Sequence, residues 1–270
     1  MDELPAPPPL AQAAPLLMVA AFVVLLLAAH VATGYTRWSL HETRPLMRWV
    51  FRACAAVALG SGLWAAMVLG LTGEAQSYAL GFSGIEAAGA WAVAVLATAL
   101  ALAPWALGPR PVIAGVSGAL LAAAALVTQM LLVRATGLQP GVTWRAEALA
   151  LAPLLAASGC IAGCWVAFIG PGQRGRLRRR WRWLAAAMLT FGVNVAQDLV
   201  LVAAGIAAQN TSEHHAALSA MKACLVAAMG APLRMLVFEV DLSMRRGVVA
   251  GVVPQARRRR TRTRVRQTPG

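Results

Sequence analysis

Residues 111–133 read Pro-Val-Ile-Ala-Gly-Val-Ser-Gly-Ala-Leu-Leu-Ala-Ala-Ala-Ala-Leu-Val-Thr-Gln-Met-Leu-Leu-Val. No charged side chain interrupts the stretch, and Ala119 to Leu126 are apolar without a break. A helix needs about 20 such residues to cross roughly 30 Å of hydrocarbon. A membrane barrel would instead show segments of about 10 residues with alternating hydrophobicity. The run therefore predicts a transmembrane helix, whose backbone satisfies its own hydrogen bonds in lipid.

Working outward, similar runs lie at 13–34, 50–72, 88–108, 147–169, 183–207 and 216–239, so seven spans are expected. Composition agrees. The chain has 270 residues, 59% of them hydrophobic and 13% charged, whereas soluble domains carry about 25% charged residues. Its mean hydropathy is +0.66. The expected fold is an all-α polytopic membrane bundle at 13–240, with a short extracytoplasmic segment at 1–12 and a basic, disordered cytoplasmic tail at 241–270. The last span is the least regular, because it holds Lys222, Arg234 and Glu239 with Gly230 and Pro232 between them. Pro232 should kink it, and Arg234 and Glu239 are read as lying near its inner end, where long side chains snorkel.

The net charge of +14 suggests nucleic-acid binding at first sight. The placement of the basic residues argues against it. Of 24 basic residues, 20 fall after the first, third, fifth and seventh spans, among them Arg37, Arg44, Arg110, Arg182 and the tail arginines. Acidic Asp2, Glu3, Glu74, Glu86, Glu147 and Glu213 fall on the other side. This is the positive-inside pattern. It predicts a multi-pass protein of the bacterial inner membrane with its N-terminus outside and its C-terminus in the cytoplasm. The tail is expected to lie on anionic lipid. Met-Asp-Glu-Leu-Pro at the start lacks the basic n-region of a cleaved signal, so the first span is expected to be kept.

Candidate chemistry is sparse. Span six carries Thr190, Asn194, Gln197, Asp198 and Leu201; positions 190, 194, 197 and 201 share a face, with 198 beside it. A carboxylate such as Asp198 costs about 2.5–3.5 kcal/mol inside a bilayer on insertion scales and is expected to face the bundle interior. Thr128, Gln129 and Met130 sit at similar depth on span four, and Met67 on span two. Met67 is either packing or a thioether ligand for copper(I). Cys160 and Cys164 share a helix face and read as packing or as a soft metal or redox pair. His30 reads as a packing histidine, His41 as solvated, and His214 with His215 beside Glu213 as packing or a loop metal site. No catalytic, zinc, phosphate-loop or dinucleotide spacing is present, so an enzyme is not expected. Thr98 with Trp105 in span three and Ser158 with Trp165 in span five share one spacing. Together with Met67, Gln129 and Gln197, they suggest three helix-pair repeats plus one helix.

Several segments resemble the MHYT family of bacterial integral membrane sensor domains. These are Gly34-Tyr35-Thr36 after span one, Gly60-Ser61-Gly62-Leu63-Trp64-Ala65-Ala66-Met67-Val68-Leu69-Gly70-Leu71, and Val95 to Leu102. The resemblance implies seven helices in three repeats, copper held by Met and His of three motifs, and signalling to a cytoplasmic or membrane partner. The Met-His pairs of those motifs fall on Ala66-Met67, Thr128-Gln129 and Ala196-Gln197, with Met130 and Asp198 at two of the Tyr positions. The motif histidines are absent, so copper binding does not carry over with the resemblance. The sequence thus leaves three readings: a sensor-type domain acting through a partner, a small transporter or proton relay using Asp198, and a structural or assembly subunit.

Overall fold

The computed structural model describes residues 9–74, 80–139, 145–169, 175–204 and 211–212, and within 222–241 the positions 222–223, 226–227, 230, 233–235, 237–238 and 240–241. Six helices carry the fold: α1 (Pro9–His41), α2 (Pro45–Glu74), α3 (Gly84–Leu102), α4 (Pro111–Ala135), α5 (Ala146–Phe168) and α6 (Gly175–Ala203). All six contain stretches long and apolar enough to cross a membrane. The protein is a polytopic helical bundle.

Local chemistry sets the helix ends. Pro45 and Pro111 open α2 and α4, where a missing N–H costs nothing. Pro104 tightens the end of α3 into a 3-10 turn over Ala103–Leu107, and Gly108, at φ +95°, stops it. At the other end of the bundle, terminal carbonyls are taken up by loop amides. Ser83 N–H donates to the Ala135 carbonyl (2.8 Å) and Arg145 N–H to that of Ala203 (2.7 Å). A two-residue antiparallel ladder, Leu138–Gln139 with Thr211–Ser212, joins the segments that follow α4 and α6.

Consecutive helices pack as antiparallel neighbours, and α1 also packs on α6. Glycines allow the closest approaches. A Cβ on Gly60 would stand 2.6 Å from the Val95 Cα, and one on Gly159 2.5 Å from the Gly192 Cα. Small residues at such seams let backbones meet where no hydrophobic force separates helix from lipid. Turns place Glu42, Arg44, Arg48 and Arg110 at one end, called here the Arg-rich end; Glu74, Glu86 and Glu147 lie at the opposite end. Near the Arg-rich end the bundle centre is α1, buried at every residue from 28 to 37. Towards the opposite end it is α2, buried at 65–73. Leu96, Leu100, Val112, Leu154 and Phe191 form part of an exposed apolar surface suited to lipid.

Two expectations about this framework change. Arg37 and Arg182 do not belong to loops: they lie inside α1 and α6 and are buried. The shared Thr/Ser–Trp spacing also hides opposite environments. Thr98 and Trp105 are fully buried, whereas Ser158 is exposed and Trp165 is 45% exposed. The expected seventh span, 216–239, is helical at every described position. Its described part packs on α1 and α2: Phe238 meets Tyr35 edge-on at 5.7 Å, and the Tyr35 hydroxyl donates to Asp241 Oδ2 at 2.9 Å. The rest of that span, Glu213, His214 and His215, residues 1–8 and 242–270 lie outside the described residues.

Candidate functional site

Buried polar side chains gather at two levels of the bundle. Towards the opposite end, around α2, Met67, Gln129 and Gln197 are 1%, 1% and 4% exposed. These three positions come from α2, α4 and α6. Gln197 Nε2 donates a long hydrogen bond, 3.4 Å, to the Met67 carbonyl. Its amide lies directly over Gly70, one helical turn from Met67, in space that any Cβ at 70 would occupy. Among the described residues, Gln197 Oε1 finds no hydrogen-bond partner, and neither amide atom of Gln129 finds one. Thr128 is buried and donates to the Ala124 carbonyl in its own helix at 2.7 Å, while Met130 is half-buried against the core. Thr190 is fully buried, and its hydroxyl has no hydrogen-bond partner among the described residues. Asn194 is half-buried and turns back to the Thr190 carbonyl at 2.8 Å.

Asp198 requires a correction: its side chain is exposed on the outside of α6. The inward side of α6 runs through Ala186, Leu189, Val193, Ala196, Gln197 and Val200. One residue turns a helix by about 100°, so with Gln197 directed inward, Asp198 is carried outward. The sequence missed Gly70 as part of the cluster. Its signal was present, because Gly70 lies three residues after Met67 and shares its face.

Near the Arg-rich end the buried groups are cationic and aromatic. Arg182 Nη2 donates to the His30 carbonyl at 2.8 Å, which also accepts from the Thr33 hydroxyl at 2.8 Å. Trp183 stacks on the His30 ring at 3.9 Å. Arg37 donates through Nη2 to the Ala167 carbonyl in the last turn of α5, where carbonyls lack helical partners and the dipole favours a cation. The Trp105 and Phe168 rings lie beside it, centroids 4.0 Å apart and tilted by 37°. Cys160 and Cys164 are both buried, and Cys164 borders an apolar cavity of about 20 Å³ shared with Thr36, Leu121 and Phe168. His41 is exposed at the end of α1.

The three motif positions supply one thioether and two carboxamides, of which the Gln197 amide meets the backbone at Met67 and Gly70. A thioether suits copper(I), but amide groups are hard, neutral donors. Among the described residues, no three His, Cys, Asp or Glu side chains come together. The residues at the three motif positions therefore do not fit a copper centre. What they offer is hydrogen-bonding capacity inside an apolar bundle. No family model matches the chain, and comparison with curated proteins and with solved structures gives no match.

Proposed function

We propose that the chain is a non-enzymatic, sensor-type membrane domain of MHYT-like organisation whose metal site has been replaced by an amide site. The observation that carries this reading is Gln129. Its carboxamide is buried and, among the described residues, lacks a hydrogen-bond partner at both atoms. Leaving one such buried group unsatisfied costs about 1–3 kcal/mol by mutational measures. A small neutral ligand with a donor and an acceptor would recover that loss; on α6, Gln197 Oε1 is a further acceptor with no partner among the described residues. Occupancy would be felt at the α2–α6 contact, where the Gln197 amide lies over Gly70. From there it would pass by contact to a membrane or cytoplasmic partner. The transport reading draws no support from Asp198, which lies on the exposed side of α6.

The Arg-rich end is assigned to the cytoplasm of an inner membrane, following the distribution of arginines. A reporter fused in the segment containing Arg178 should read as cytoplasmic; an external signal would reverse the assignment.

The ligand is sought by native mass spectrometry of the full chain released from nanodiscs. A small-molecule adduct should be retained by the wild type and lost from Gln129→Leu and Gln197→Leu. If no adduct appears and both variants match the wild type, the amides only fix helix register. Copper loading is the companion test. Substoichiometric copper, unchanged in Met67→Ala, is expected; stoichiometric copper that falls in that variant would restore a metal site.

A further inference from the structure

Arg234 belongs to the last helical segment, and its side chain is exposed. Its Nη1 donates to the Ser61 hydroxyl at 3.3 Å, and Trp91 Nε1 of α3 donates to the same oxygen at 3.0 Å. Ser61 lies close to the middle of α2, roughly 24 Å along the axis from Pro45 and 20 Å from Glu74 at 1.5 Å per residue. A bilayer centred on α2 places the guanidinium near mid-depth, not near a helix end as its place in the sequence suggests. Snorkelling is a device of helix ends. The two N–H donors converging on Ser61 keep this cation where headgroups are about 15 Å away in either direction.

Between Val226 and Val240, the described residues of the segment around it are apolar where they face outward. Val226, Leu233, Val237 and Val240 of the same segment are 58%, 63%, 59% and 48% exposed. With Gly230 one turn from Arg234, they make an outward face with one cation at its centre. Among the described residues, Ser61 is the only hydrogen-bonding partner of the guanidinium, and no carboxylate lies within ion-pair distance. A cation facing hydrocarbon at mid-depth is expensive and marks a functional contact.

We infer that this face docks a transmembrane helix of a different protein, one that carries an Asp or Glu at mid-bilayer to pair with Arg234. A second copy of this chain does not supply that carboxylate from the described residues. Copies sharing one orientation can pair symmetrically only about an axis along the membrane normal, so each residue keeps its depth. Glu74, Glu86 and Glu147 lie at the ends of α2, α3 and α5, and Glu42 in the turn before α2. Asp198 lies in the last turns of α6, near the level of Gly70, and Asp241 meets Tyr35 towards the Arg-rich end. None of them is level with Ser61. The docking face supplies a partner surface for the sensor reading but uses none of its ligand residues, so either can fail alone.

The test reconstitutes the full chain, with a donor dye on a C-terminal tag, in phosphatidylcholine vesicles with an acceptor-labelled poly-leucine helix bearing one central Glu or one central Gln. Energy transfer should show the Glu helix binding about tenfold more tightly than the Gln helix, an affinity ratio worth 1.4 kcal/mol. Arg234→Gln should abolish the preference, and Arg234→Lys should keep part of it. Equal binding of the two helices to the wild type overturns the inference and requires no variant to fold. A preference that survives Arg234→Gln also overturns it. Two further results would reassign the face: loss of the preference on adding phosphatidylglycerol, to a lipid headgroup, and transfer between two labelled copies that Arg234→Gln abolishes, to a second copy.

Discussion

Around α1, near the Arg-rich end, the buried polar groups Arg37 and Arg182 are cations, and each donates to a carbonyl of a neighbouring helix, that of Ala167 or of His30. Around α2, towards the opposite end, the buried groups are neutral amides, and Gln129 and Gln197 retain atoms with no partner among the described residues. The first arrangement ties neighbouring helices together through charged donors, although Thr36 Oγ1 and Trp105 Nε1 in the same region also lack a hydrogen-bond partner among the described residues. The second is held inside the bundle at a cost that the fold itself does not recover. The contrast separates polarity kept for assembly from polarity kept for a ligand, and each half predicts a different response to removal of its side chains.

The largest effect is expected at the Arg-rich end. Arg37→Ala strips the last turn of α5 of its cation and should lower stability by about 1.5–3 kcal/mol, the range for hydrogen bonds to charged groups. Unfolding by SDS titration in mixed micelles, followed by far-UV circular dichroism, measures it; an unchanged midpoint would break the contrast from its structural side. Gly70→Val drives a side chain into the Gln197 amide and should cost about 2 kcal/mol by overpacking. The Gly70→Val, Gln197→Ala double variant should recover part of that loss, and strict additivity would mean the two residues do not share the space. Arg182→Lys keeps a cation beside His30 but loses the planar fork, and about 1 kcal/mol should go in the same assay. Gln197→Leu surrenders only the long bond to the Met67 carbonyl, so its cost should stay below about 1 kcal/mol.

The sequence shows the helices plainly, because uninterrupted runs such as 111–133 have one stable form in lipid. Their facing is far less legible. In a soluble helix, the polar stripe marks the outside. Here both lipid and protein interior are apolar, so the pattern that would orient a helix is faint. That is why Thr98 with Trp105 and Ser158 with Trp165 look alike in sequence and lie on opposite sides of the packing. For the same reason Asp198 was expected inside, when the single-residue step from Gln197 turns it out. The arginines misled differently. Charge count puts Arg37 and Arg182 in loops, but a guanidinium inside the bundle can be held by a helix-end carbonyl, as Ala167 holds Arg37, or by one within a helix, as His30 holds Arg182, and only the folded arrangement reveals which carbonyls are within reach. Met67, Gln129 and Gln197 were legible as positions because polar or soft residues are rare in such runs. That Gly70 makes room for one of their side chains required the helix pairing.

The most direct test of the contrast is the stability of Gln129→Leu without added ligand. Replacing a buried amide that lacks partners with an apolar side chain of similar size should leave stability unchanged or raise it by about 1 kcal/mol. The adduct of the wild type should be lost in the same protein. A fall of more than about 1 kcal/mol would contradict the account, because it would mean that the Gln129 amide is already bonded within the folded chain and belongs with Arg37 and Arg182 among the structural ties.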